Sequence, residues 1–186
     1  MADPAHRIDP VTLEQFEAMS FGDRKAELID GVIVIPPAFP IWRHGQIVAA
    51  VGANLENALR AAGLPCRVSV GTGIGIRLDR DWCLGPDVMV RRGETRREPR
   101  DPVMVVEVVS PSDSATEMMK KLHAYQAVDS LTDILVVEQD AYAVEHWTRA
   151  ADGAWTPRPH LSGPDAVLAL PAMGGEWRLE ELYGDG

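Results

Sequence analysis

The chain carries an aspartate in Pro86-Asp87, a glutamate twenty positions later in Glu107-Val108-Val109, and a lysine, Lys121, fourteen positions beyond that in a helical stretch. The loop from Arg91 through Arg100 lies midway between the two acids, so a hairpin turning near Arg97 sets Asp87 roughly opposite Glu107. Directly opposed residues hold their Cβ atoms about 4.5–5.5 Å apart. At that separation two carboxylates repel unless one is protonated or a cation lies between them. The pair therefore reads as a divalent-metal site or a perturbed dyad, the metal reading being the sharper. A lysine beside a bound metal can orient the attacking water and stabilise charge building on a phosphate, and the metal would lower the pKa of that water.

The elements carrying these residues follow from their neighbours. Val103 to Val109 is a near-continuous apolar run, the pattern of a central strand buried on both faces, and a lone glutamate within it calls for a partner. In the helix that follows, from about Ala115 to Val128 with Ser114 and Glu117 as a capping box, Met118, Leu122 and Tyr125 form the stripe facing the sheet. Lys121 is about 60° from Met118 and can reach inward, whereas Lys120 falls on the solvent side. The bland account of Lys121 is an i, i+4 pair with Glu117. Glu27 stands between the first helix and Asp30-Gly31, either as an exposed strand residue or as part of the site. His44 shares a helical face with Ile47, Val48, Val51 and Leu55 and points at the core or a cleft; a lone inward histidine is usually structural.

Along the rest of the chain, Thr12 and Gln15 announce a short capped helix. Apolar runs flanking Asp30-Gly31 signal a hairpin, and Ile41 to Ala62 is the longest helix, closed by Gly63. Strands are expected at Arg67 to Val70, Gly73 to Leu78 and Pro86 to Val90. A further hairpin spans Asp133 to Glu138 and Ala141 to Trp147, before a loop-rich end from Gly153 to Tyr183.

The bulk composition admits the metal reading without demanding it. At 186 residues the chain is expected to form one domain over 1–186, with a core from about 11 to 183. Hydrophobic residues at 46% and charged residues at 25% disfavour disorder, collagen and membrane classes. The N-terminus has no leader pattern and no stretch is long and apolar enough for a membrane span, so cytoplasmic residence is expected. Two cysteines, Cys66 and Cys83, form no Cys-x-x-Cys pair and are expected as buried free thiols. A net charge of −10 weighs against gripping nucleic acid through overall positive potential, although Arg91, Arg92, Arg96, Arg97 and Arg100 form a local basic edge or a solvated loop. Nucleophile-elbow, P-loop, dinucleotide-binding and zinc-protease motifs are absent.

The ordered set of Glu27 in Glu-Leu-Ile-Asp-Gly, His44, Pro86-Asp87, Glu107 in Val-Val-Glu-Val-Val-Ser-Pro-Ser, and Lys121 in Lys-Leu-His-Ala-Tyr resembles the PD-(D/E)XK nuclease superfamily. More narrowly, it resembles the prokaryotic family of small stand-alone proteins described as putative restriction endonucleases, over about Val11 to Tyr183. The resemblance implies an α/β (α+β) fold, a restriction-endonuclease-like mixed central sheet flanked by helices, with Asp87 and Glu107 on adjacent central strands. It implies a magnesium-dependent phosphodiesterase site and a role for Glu27. Val109 occupies the position of the superfamily's own lysine, so Lys121 substitutes from the helix. Glu117 stands where the family more often shows aspartate.

The leading expectation is a metal-dependent DNA endonuclease in which Asp87 and Glu107 bind Mg²⁺ or Mn²⁺, Glu27 assists the metal or its water, and Lys121 stabilises the attacking species. His44 is an auxiliary candidate, and Arg91, Arg92, Arg96 and Arg97 are candidate DNA contacts. A homodimer is expected because one site cuts one strand. The alternatives are a nuclease-fold module that binds or regulates without cleaving and, in a third class, a protein-interaction domain that dimerises through the apolar segment Val167 to Leu170 and has no nucleic-acid role.

Overall fold

The computed structural model describes residues 10–22, 24–35, 42–71, 76–78, 81–93, 101–110 and 113–186. Helix α1 (Leu13–Glu17) starts at Thr12, whose hydroxyl accepts from the Gln15 N–H while the Gln15 side chain accepts from the Thr12 N–H. That reciprocal box satisfies two amides that would otherwise lack partners. Strands β1 (Glu27–Ile29) and β2 (Val32–Val34) pair across Asp30-Gly31, both at positive φ (54° and 74°) as the tight turn requires. A Cβ on Gly31 would stand 2.3 Å from the Pro10 Cβ, so this position excludes a side chain on two counts. Helix α2 (Trp42–Ala61) buries Ile47, Val48, Val51, Leu55 and Leu59, and Gly63 at φ 64° follows its end.

The remaining elements are β3 (Cys66–Val70), β4 (Ile76–Arg77), β5 (Cys83–Leu84), β6 (Val88–Arg92), β7 (Pro102–Val109), α3 (Ala115–Gln126), β8 (Asp133–Glu138), β9 (Ala143–Arg149), β10 (Trp155–Pro157), β11 (Leu161–Ser162), β12 (Val167–Leu170), β13 (Gly175–Arg178) and α4 (Leu179–Leu182). The main sheet runs β10-β9-β8-β7-β6-β3, with β11 on β9. Its β7–β8 pairing is parallel and the others are antiparallel. A parallel neighbour needs a crossover, and α3 supplies it. This is the mixed sheet flanked by helices that the sequence resemblance implies. A smaller sheet, β2-β1-β5-β4, and the pair β12-β13 complete the architecture.

Strand β7 is buried at seven of its eight residues, as its unbroken apolar run requires. Met104, Val106 and Val108 enter one core with Ile47, Val51 and Leu55 of α2. Val105 enters another with Met89, Ile134, and Leu122 and Tyr125 of α3, closed by Ile29, Leu84 and Ile76 of the small sheet. Alternation along a strand puts Glu107 on the same face as Val105. The small sheet and α3 therefore roof the part of β7 that carries the acid.

Three expectations change. Cys66 is only half-buried, while Cys83 is buried, and both are free thiols. The apolar segment Val167 to Leu170 is not exposed as a whole: Leu168 and Leu170 are buried in the core, while Val167 and Ala169 face out. The strand expected over Gly73 to Leu78 is the two residues of β4 among those described, with 72–75 outside them. The turn near Arg97, with Arg96, Arg97 and Arg100, also lies outside the described residues. No helix among the described residues is long and apolar enough to cross a membrane.

Candidate functional site

Antiparallel pairing of Val88 with Val106 and Met89 with Val105 puts Asp87 opposite Glu107, one step beyond the last of these pairs. The hairpin symmetry of the sequence is thus realised. The two acids use their oxygens differently. Asp87 Oδ2 accepts from the Val108 N–H at 2.9 Å, so the side chain stands in for a strand carbonyl at the end of the ladder. Its other oxygen, Oδ1, faces Lys25 Nζ at 3.3 Å and His44 Nε2 at 3.6 Å. Glu107 is 5% exposed, and its Oε1 accepts from the Tyr125 hydroxyl at 2.5 Å and faces Lys121 Nζ at 2.7 Å.

Lys121 also lies 3.2 Å from the Glu27 carboxylate, and Glu27 Oε1 accepts from the Gly85 N–H at 2.8 Å. Glu27 is buried on β1, held by the amide that leads into β6. Two carboxylates, from β1 and β7, thus meet one ammonium from α3 at the centre, and a third, Asp87 before β6, meets Lys25 at the rim. The wheel argument for Lys121 holds, with 11% of its side chain exposed. Its partners are Glu27 and Glu107, which supersede the i, i+4 account with Glu117. Lys120 is exposed as expected and pairs with Asp30 Oδ2 at 2.8 Å across the β1–β2 turn.

The electrostatics divide the acids. Burial opposes ionisation of Asp87, but His44, Lys25 and the Val108 N–H outweigh it and hold the carboxyl at about 2. Burial pushes Glu107 upward against the pull of Lys121, and the negative charges of Asp87 and Glu27 add to the rise. Burial likewise opposes the charge on Lys121, but Glu107 and Glu27 overcome it and raise its pKa. Tyr125 is driven well above its ordinary value by burial and by Glu107, so it remains a hydroxyl donor. Contact with Asp87 raises His44.

Arg91 and Arg92 are not brought into this cluster. They stand four and five residues along β6 from Asp87, roughly 13–17 Å away at strand rise, and pair with Arg67 and Cys66 of β3. Two residues at the site escaped the sequence reading. The ring of Tyr125 does occupy the apolar stripe, while its hydroxyl reaches Glu107; its position one turn after Lys121 on the same face is the available signal. Lys25 had none, since a lone lysine two residues before a glutamate is indistinguishable from a solvated one.

Whether the cluster suits a divalent cation depends on its donors. Asp87 Oδ1 and the Glu107 carboxylate are hard oxygen ligands on adjacent strands, the kind that Mg²⁺ and Mn²⁺ favour. Among the described residues, no three histidine, cysteine, aspartate or glutamate side chains are grouped so as to hold one ion. Two carboxylates with water completing the shell is a fitting set for Mg²⁺, which keeps several of its waters. It is a poor one for zinc, which takes four protein ligands in structural sites and three in catalytic ones.

Residues 13–180 match the model of the family Uma2, described as putative restriction endonuclease. A crystal structure of a putative nuclease belonging to DUF820 from Anabaena variabilis superposes with a TM-score of 0.76, covering 94% of this chain and 98% of that one. At 18% identity that likeness establishes the shared fold. An uncharacterized protein of Synechocystis sp., sll1609, is 29% identical over 94 residues, which are 47% of this chain. The match spans about half that relative's length, 52%.

Proposed function

The chain belongs to the Uma2 family, described as putative restriction endonuclease, and from that premise we propose that it is a metal-dependent endonuclease hydrolysing phosphodiester bonds in DNA. The observation that carries the proposal is the convergence of Glu27 and Glu107 on Lys121 at one end of the central sheet, with Asp87 opposite Glu107 on the neighbouring strand. In this reading Asp87 and Glu107 hold Mg²⁺ or Mn²⁺. When bound, the cation neutralises the scissile phosphate and acidifies a water. The chain's own residues supply the rest. The Val108 N–H fixes Asp87 so that Oδ1 points to the ligand side, and Tyr125 fixes Glu107. Lys121, held between Glu27 and Glu107, orients the attacking water and stabilises charge building on the phosphate. Glu27 sets the position of that ammonium, and His44 supports Asp87 from α2.

Arg91 and Arg92 are proposed as phosphate contacts about four to five base pairs along a duplex from the scissile bond, at 3.4 Å per pair. One domain carries all these parts, and a second copy would serve the other strand. A two-chain mass in sedimentation of the oligonucleotide complex would support this arrangement, and a one-chain complex would remove it.

The deciding experiment offers supercoiled plasmid and a single-stranded oligonucleotide, with Mg²⁺ or Mn²⁺, to wild type and Glu107→Ala side by side. Cleavage by wild type alone is expected. Equal cleavage by both sinks the assignment. Silence in both favours a second reading, a nuclease fold that binds without cutting, which the net charge of −10 also favours.

A further inference from the structure

The two oxygens of Asp87 have different partners. Oδ2 is committed to the Val108 N–H, and Oδ1 carries both Lys25 and His44. A cation ligated through Oδ1 must therefore contend with those two groups for the same atom. They differ in how they are held. His44 projects from the twenty-residue helix α2, whose first turn is tied to the end of the chain by Arg43 and Gln46 on Asp185. Lys25 lies in the irregular stretch between α1 and β1, with 27% of its side chain exposed against 11% for Lys121. A long side chain on such a stretch can leave its partner by rotamer change alone.

Resting on the endonuclease reading above, we propose that Lys25 is an exchangeable cation that covers Asp87 Oδ1 until a divalent ion takes that oxygen, and then binds the phosphate backbone of the nucleic acid. The argument is one of charge. Lys121 faces two acids, Glu27 and Glu107, and has no reason to leave them. Lys25 faces Asp87 alone among the described ion pairs, and a dication on Oδ1 repels it. The anion then nearest the rim is a substrate phosphate, with which an ammonium pairs as a point charge. Metal and nucleic acid thereby become coupled ligands: the ion frees the lysine and the lysine holds the backbone. Such coupling is reciprocal, so nucleic acid tightens the ion by the same factor.

The test is made on the full chain, with Ca²⁺ in place of Mg²⁺ so that binding is measured without turnover. Calorimetry gives the affinity of wild type, Lys25→Met and Asp87→Asn for Ca²⁺ and Mn²⁺. Fluorescence anisotropy gives the affinity for a labelled oligonucleotide with Ca²⁺ and with chelator. Lys25→Met should bind either ion about three- to tenfold more tightly while losing most of the ion-induced gain in oligonucleotide affinity, and Lys25→Arg should retain that gain. Ion affinity unchanged or weakened in Lys25→Met, or an undiminished gain, overturns the exchange while leaving the endonuclease reading in place. Absence of ion binding by wild type, or ion binding that survives Asp87→Asn, overturns both. Circular dichroism on each variant separates these results from failure to fold.

Discussion

At the scale of single residues, the site is a balance of three buried or nearly buried carboxylates against a few cations, and each partner has a measurable consequence. Replacing Lys121 with methionine leaves Glu27 and Glu107 buried without their shared ammonium. Removing one member of a buried pair costs about 3–5 kcal/mol. Urea denaturation of Lys121→Met should show a loss of that size, which Glu27→Gln in the same chain should partly recover. Asp87 gives a pH signature. Its folded pKa of about 2 lies below the ordinary 3.8, so its stabilisation is complete above about pH 4 and fades as pH falls through 2. That contribution is about 2 kcal/mol. Asp87→Asn should lack it, and denaturation midpoints of the two proteins measured from pH 6 to pH 2 should converge at the acid end. The inward reach of Lys121 was legible because helical periodicity fixes where a side chain points. Periodicity could not show that Glu27 is its second partner, since Glu27 lies 94 positions earlier, on the strand whose pairing with β5 builds the small sheet.

At the scale of elements, sequence signals served best where a local rule decides the outcome. The Asp30-Gly31 turn, the Thr12 box and the apolar stripe of α2 each depend on residues within a few positions of one another. The C-terminal segment depends on distant partners, and only half of its apolar run is free to meet anything outside the chain. Pairing of β12 with β13 alternates the run, so that Leu168 and Leu170 turn inward and Val167 and Ala169 outward. Asp185 then returns to α2, accepting two hydrogen bonds from the Arg43 guanidinium at 2.7 and 2.6 Å and one from the Tyr142 hydroxyl at 2.8 Å. Nothing in the local pattern of Gly184-Asp185-Gly186 announces this clamp. It holds the residues on either side of His44 in α2, Arg43 directly before it and Gln46 two positions after. Asp185→Ala should cost about 1 kcal/mol, since the pair is partly exposed, and lower the midpoint of thermal unfolding by roughly 2–4 °C. In NMR spectra the His44 ring signals should shift, although the substitution touches none of the three acids. Unchanged His44 signals would confine the clamp to stability.

For the whole molecule, the arrangement separates what must stay fixed from what must yield. Strand β7 pairs with β6 on one side and β8 on the other, and both its faces are covered. Positions of this kind open only when the whole fold opens, whereas peripheral loops open at little cost. Amide hydrogen exchange should therefore find β7 and β8 the slowest segments, with the stretch holding Lys25 among the fast ones. Comparable exchange in both would mean that the centre of the sheet is not its most cooperative part. The bond from the Val108 N–H to Asp87 Oδ2 gives this contrast a further use. It is a backbone amide in the most protected strand whose acceptor is a candidate ligand side chain. Its nitrogen and proton frequencies therefore form a reporter written into the chain: any event that alters the charge on Asp87 will move that one cross-peak. A titration followed at Val108 would read occupancy of the site directly, in a protein whose substrate need not yet be known.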